Sequence, residues 1–162
     1  MQTRHRAFPF SLLAAGLFTA LLTAPAAYAQ SADNSLKAGT MKLVHGDVRV
    51  IDARGERVLH PGDALAPADK LVTGSDGAAS MVLRDGTTMM LGPRSRISLD
   101  TFSFNSTTNE GNLAVAVLRG SMRMITGLIS KANPQAVAVT TRTATVGVRG
   151  TDFIVEVDDP AQ

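Results

Sequence analysis

From residue 38 onward, apolar and polar residues alternate in short runs. Met41 and Leu43, Val48 and Val50, Met81 and Leu83, Met89 and Leu91, Ile97 and Leu99, Val115 and Val117, Met122 and Met124, Val137 and Val139, and Phe153, Val155 and Val157 all recur at period two. That is the spacing of strands with one buried face. Turn signals separate the runs: Gly46-Asp47, Ala53 to Glu56, Pro61-Gly62-Asp63, Gly74 to Gly77, Asp85-Gly86, Gly92-Pro93, Asn105 to Asn112, Arg119-Gly120 and Ala132-Asn133-Pro134. They return about every 8 to 12 residues, the interval of all-β sandwiches and barrels. No long helical period interrupts them, and Gly127 to Lys131 has room for one helical turn at most. The pattern predicts an all-β chain: one antiparallel β-sandwich or roll of short strands over residues 38–158, most mobile at Asn105 to Asn112.

One hairpin can be taken to its register. A two-residue loop at Asp85-Gly86 would set Met81 opposite Met90 and scatter apolar residues over both faces. A three-residue loop, Arg84-Asp85-Gly86, sets Met81 opposite Met89 and Ala79 opposite Leu91. This gathers Ala79, Met81, Leu83, Met89 and Leu91 on one side. The second register is expected, because a one-residue slip turns a strand's whole apolar set outward. Gly86 then supplies the left-handed residue of a bulged turn.

Before residue 38 the pattern changes. Arg4 and Arg6 form a basic start, Ala7 to Leu22 an apolar stretch, and Ala27-Tyr28-Ala29 a small-x-small cleavage pattern, which together predict an export signal over residues 1–29. The 16-residue apolar stretch is shorter than the roughly 20 residues of a membrane-spanning helix. A polar lead-in (residues 30–37), the β domain and a short tail (residues 159–162) would then form a periplasmic product with no transmembrane span. Of 16 Lys and Arg against 14 Asp and Glu, two fall in the leader, so the product is near neutral. A nucleic-acid partner is therefore not expected, since polyanion affinity needs an excess of basic charge.

Composition removes further chemistry. With no Cys there is no disulfide, thiolate nucleophile or thiolate metal site. His45 and Asp47 alone do not close a metal site, and the hydrolase signatures Gly-x-Ser-x-Gly and His-Glu-x-x-His are missing. Only Phe102, Phe104 and Phe153 remain as aromatic rings after the leader, too few for sugar or base platforms. The aspartates stand in glycine-containing turns, where they bind local N–H groups. No catalytic residue, metal or cofactor is expected. The Arg94/Arg96 and Arg119/Arg123 pairs read as charges guarding strand edges. The string Val146 to Phe153 holds two glycines three apart. It reads as a bent strand with close backbone approach, in which Arg149 pairs with an earlier turn aspartate, Asp85 or Asp63.

Three strings together carry a resemblance: Leu59-His60-Pro61-Gly62-Asp63 with Lys70-Leu71-Val72-Thr73-Gly74; Leu83-Arg84-Asp85-Gly86-Thr87 with Leu91-Gly92-Pro93; and Val146-Gly147-Val148-Arg149-Gly150-Thr151-Asp152-Phe153. In order and spacing, residues 39–157 resemble the FecR domain, the periplasmic part of iron-dicitrate signalling regulators. The resemblance marks Gly62, Asp63, Thr73, Gly74, Asp85, Gly86, Gly147, Arg149, Gly150 and Thr151 as motif positions with a structural role. Family members often carry Gly where Ala68 stands and Thr-Pro where Thr141-Arg142 stands. The resemblance implies an all-β, non-enzymatic module for protein interaction or sensing in the cell envelope, its partner another envelope protein. The alternative is a module binding a small ligand or cell-wall glycan. The cytoplasmic domain with which signalling members grip a sigma factor has no counterpart before residue 38, so direct sigma-factor regulation is not expected.

Overall fold

The computed structural model describes residues 37–148 and 151–158. The expected leader, the lead-in up to residue 36, Arg149, Gly150 and the tail lie outside the described residues. Among those described, twelve strands follow in order: β1 Gly39–His45, β2 Val48–Asp52, β3 Gly55–Val58, β4 Ala64–Leu65, β5 Lys70–Thr73, β6 Ala78–Leu83, β7 Thr88–Leu91, β8 Arg96–Phe104, β9 Gly111–Ile125, β10 Val137–Thr140, β11 Thr145–Gly147 and β12 Asp152–Val157. The α-helix α1 at Leu128–Ala132 is the short turn expected after Gly127, and a 3-10 turn at Pro134–Ala136 follows it. The chain is all-β, and its strands form a single curled sheet. β10 against β9 is the one parallel pair among them. A hairpin cannot join parallel neighbours, and the 126–136 segment carrying α1 supplies the longer crossover.

The hydrogen-bonded path runs β3-β2-β5-β8-β9-β7-β6-β1-β4. Its two ends, β3 and β4, are consecutive in sequence. The five residues Leu59–Asp63 that join them reach about 17 Å at full extension, so the sheet must curl until its ends meet. Arg57 of β3 completes this closure by donating to the Asp63 carboxylate beside β4 at 3.1 Å.

Strand β9 belongs to both halves of the curl. Its first half pairs with β8 on one edge and β10 on the other, and its second half pairs with β7 and β12. The exchange of partners falls at Gly120, whose φ of +79 is a left-handed conformation that side chains disfavour. A Cβ there would also stand 2.4 Å from Ser95 Oγ and 2.5 Å from its Cα. Arg96, Arg119 and Arg123 lie on β8 and β9, strands paired on both edges, and so do not guard sheet edges as the sequence suggested. Charge on a central strand is tolerated when its face of the pleat is solvated.

The two halves meet in one core. On one side Met41, Met81, Met89 and Met124 lie directly opposite one another across β1, β6, β7 and β9, and the row ends on Phe153 of β12. On the other side Val50, Leu71, Ile97 and Val117 form the corresponding row across β2, β5, β8 and β9. All eight aliphatic and methionine side chains of these rows are buried. Flexible thioethers on one side facing stiff branched residues on the other give the interior an adaptable and a rigid wall. The β6–β7 hairpin adopts the expected register, with Met81 opposite Met89 and Ala79 opposite Leu91, and Gly86 takes φ +84. The loop at Asn105 is tighter than expected: Gly111 and Asn112 already belong to β9, and the Asn105 side chain accepts the Thr107 and Thr108 amides.

Pro67 followed by Ala68 at φ +71, with the Asp69 amide donating to Ala66 O, has the pattern of a type II turn. That turn favours glycine at the second central position. Ala68→Gly should therefore stabilise the fold by about 0.5–1 kcal/mol after its own entropy cost. Thermal denaturation should show Tm rising by roughly 2–5 °C.

Candidate functional site

The motif positions do not converge on one site. They form separate locks that tie turns to the frame. In the first, the buried Asp85 carboxylate accepts the Thr87 amide at 3.0 Å and the Thr87 hydroxyl at 2.7 Å. Thr87 Oγ1 in turn accepts the Gly127 amide at 3.0 Å, and the Leu128 amide donates to Asp85 O at 2.8 Å. The hairpin tip is thus clamped to the end of β9. Sequence reasoning missed Gly127, whose partners lie some forty positions earlier. A Cβ on it would meet Asp85 O at 2.3 Å.

A second lock sits at the β9 bend. Thr73 Oγ1 donates to Gly92 O at 2.7 Å and accepts the Ser95 amide at 2.8 Å. Ser95 Oγ accepts the Ser121 amide at 3.0 Å, so β5, the β7–β8 turn and β9 share one buried chain of hydrogen bonds. Gly74 donates its amide to Asp47 O at 2.8 Å. In the third lock, Asp63 accepts the His60 amide at 2.9 Å and Arg57 at 3.1 Å, while Gly62 donates to Met41 O. Asp63 and Asp85 are thus engaged by Arg57 and Thr87 respectively. The expected Arg149 contact lies outside the described residues.

Gly147 and Thr151 lead to a different feature. Four strands pair on one side only among the described residues: β3, β4, β11 and β12. The first two meet at the seam closed by Arg57, and the charges of β3 suit an edge that must not recruit another strand. The second seam, between β11 and β12, is not bridged by an ion pair among the described residues, and apolar residues alternate with polar ones along it. A groove of about 440 Å³ lies there, lined by Val146, Gly147, Val148, Phe153, Ile154 and Val155, with Thr141 and Glu156 at its margin. Ile154 is 69% exposed, an unusual placement for a large aliphatic side chain on a strand free to pair.

Strand β12 is pinned to β9 at its start. Arg123 donates Nε to one Asp152 oxygen at 2.9 Å and a terminal nitrogen to the other at 2.5 Å, a bidentate pair with fixed geometry. This bond from Arg123 holds the Asp152 carboxyl below its ordinary value, and the same pair raises Arg123. The Thr126 amide donates to Thr151 O at 2.9 Å. The free edge of β12 is therefore presented on a fixed strand. Among the described residues, no three His, Cys, Asp or Glu side chains gather to hold a metal ion, and no helix is long and apolar enough to cross a membrane.

The family described as FecR protein matches residues 69–162. A solved structure titled "Cell surface anchoring domain" is 30% identical, covering 38% of this chain and 83% of that chain with a TM-score of 0.37. No curated protein matches.

Gly127 and the motif glycine Gly147 should respond differently to a methyl group. Gly127→Ala forces the Asp85 clamp apart and should cost at least about 2 kcal/mol. Gly147→Ala, whose Cβ meets open space, should stay within about 0.5 kcal/mol; urea titration of both variants checks this. For the Arg123 pair, a lowered folded-state carboxyl contributes stability above the unfolded value of about 3.9, and that contribution is lost as pH falls through the folded value. Protection factors of β12 amides, taken relative to the intrinsic exchange rate at each pH, should therefore fall in acid. Asp152→Asn should show the lower protection already at neutral pH, with little further acid effect.

Proposed function

This chain belongs to the FecR family, and on that footing we propose that it is a non-catalytic cell-envelope module that captures an extended segment of a partner protein along the free edge of β12. The supporting observation is the contrast between the two seams. One is bridged by charge and a short connector. The other leaves a strand edge that exposes Ile154 between Asp152 and Glu156, beside a groove lined mainly by apolar side chains.

Strand addition suits such an edge. Main-chain hydrogen bonds to β12 provide affinity, and every second side chain of the incoming segment reaches the groove, which provides selectivity. Ile154 and Val146 are the exposed contacts a hydrophobic partner would cover. The ionisable groups favour binding over turnover, because the resolved ion pairs are largely exposed Arg–carboxylate contacts and none frames a cleft in the manner of an acid–base pair. The leader over residues 1–29 would deliver the module to the periplasm, where another envelope protein is its partner.

A photo-crosslinking residue at Ile154 should trap a protein adduct in intact envelopes, whereas the same residue at Val58, on the charged seam, should not. With the crosslinking residue placed at Val146 of the same groove, Ile154→Lys should abolish the capture while leaving the melting curve within about 0.5 kcal/mol of the parent, as expected of an exposed position. Equal adducts at both positions would sink the proposal. A glycan adduct without protein would favour the alternative of cell-wall binding.

A further inference from the structure

A second groove, of about 480 Å³, lies at the closed seam, within the size range of small-molecule sites. Its floor is aliphatic, made by Ala64 and Leu65 of β4 and the Ala66-Pro67-Ala68 turn, and Lys37, Arg54 and Arg57 stand around it. Asp69 also lines it, although that residue is only 4% exposed. One Asp69 oxygen accepts the Ala66 amide at 2.8 Å. Among the described residues no Lys, Arg or His forms an ion pair with it, the nearby guanidinium of Arg54 being held by Asp52 and that of Arg57 by Asp52 and Asp63. Burial raises the Asp69 carboxyl above its ordinary value and the charge of Asp52, which also lines the groove, adds to this, while the Ala66 amide and, more weakly, Arg57 and Arg54 act in the opposite sense.

A buried carboxylate without a counter-charge is costly and gains when a cation arrives. The rim calls for the opposite charge. Arg54 has an 81% exposed side chain, and only part of its five-donor fork is used by Asp52. Arg54 and Asp69 line the same groove, so one small molecule lying in it can reach both charges. We infer that this groove binds a small aliphatic zwitterion, an amino acid or short peptide with free ends. Its ammonium pairs with Asp69, its carboxylate with Arg54, and its side chain lies against Leu65, Ala66 and Pro67. A simple anion would leave Asp69 uncompensated. A sugar would find no stacking surface, since no aromatic ring lines the groove. The left-handed Ala68 also sits in this wall, and backbone strain of that kind concentrates at ligand sites. This site is separate from the β12 edge and does not depend on strand capture.

The test is an NMR titration of the purified protein with the dipeptide alanyl-alanine. The Ala66, Ala68 and Asp69 amides should shift saturably with Kd on the order of 1 mM, a reasonable value for a ligand of this size. N-acetylating or C-amidating the dipeptide should weaken binding about tenfold each, the loss of one charge-assisted contact. Asp69→Asn should remove the preference for the free amine. Should that variant fail to fold, Arg54→Gln on the exposed rim should remove the preference for the free carboxylate, and Ile154→Lys should change neither. The inference is overturned if no saturable shift occurs by about 10 mM, if the blocked dipeptides bind equally well, or if Arg54→Gln leaves the preference for the free carboxylate intact.

Discussion

The architecture depends on a single strand that is hydrogen-bonded along both edges and exchanges all its partners at one residue. β9 carries β8 and β10 on its first half and β7 and β12 on its second. The bend at Gly120 between them requires both a positive φ and the space a side chain would fill. Because the partners diverge there, backbone groups at the fork would lose their ladder mates. The buried chain from Thr73 through Ser95 to Ser121 supplies them instead, as an unpaired buried polar group would cost about 1–3 kcal/mol.

Sharing β9 forces the two halves to face one another, and this in turn creates two seams with different chemistry. The seam of β3 and β4 is drawn together by a five-residue connector and bridged by Arg57, which discourages further strand pairing. The seam of β11 and β12 has no such bridge among the described residues, and it exposes Val146 and Ile154 between the acidic side chains of Asp152 and Glu156. A folded protein exposes such an edge at the risk of aggregation, so its retention beside a groove fits a surface used for recognition. The groove at the closed seam sets the fixed charges of Asp52, Arg54, Arg57 and Asp69 around an aliphatic floor.

Membership of the FecR family places the motif residues in a physical context. Asp63, Thr73 and Asp85 direct their side chains to backbone groups of turns and bends, and Gly86 gives the hairpin its left-handed residue. They hold the frame on which the seams are displayed, while Val146, Ile154 and Asp69 line the grooves at the two seams. A motif dominated by Gly, Asp and Thr is suited to the first task, because these residues serve turns and local N–H groups in small spaces.

Local chemistry was legible from the residues alone. Period-two alternation identified the strands, the apolar face of residues 79–91 chose one hairpin register over another, and the Gly127 to Lys131 turn was bounded in length. These are properties of neighbours in the chain, where sterics and the side-chain period act directly. Only the tertiary structure decided that β9 lies at the centre with its arginines, that β10 runs parallel to it, that four methionines align across four strands, and that Gly127 is closed in by Asp85. Each depends on which distant strand becomes a neighbour. Alternation says which face of a strand is buried and nothing about what is buried against it, so partners, seams and grooves emerge only when the sheet curls.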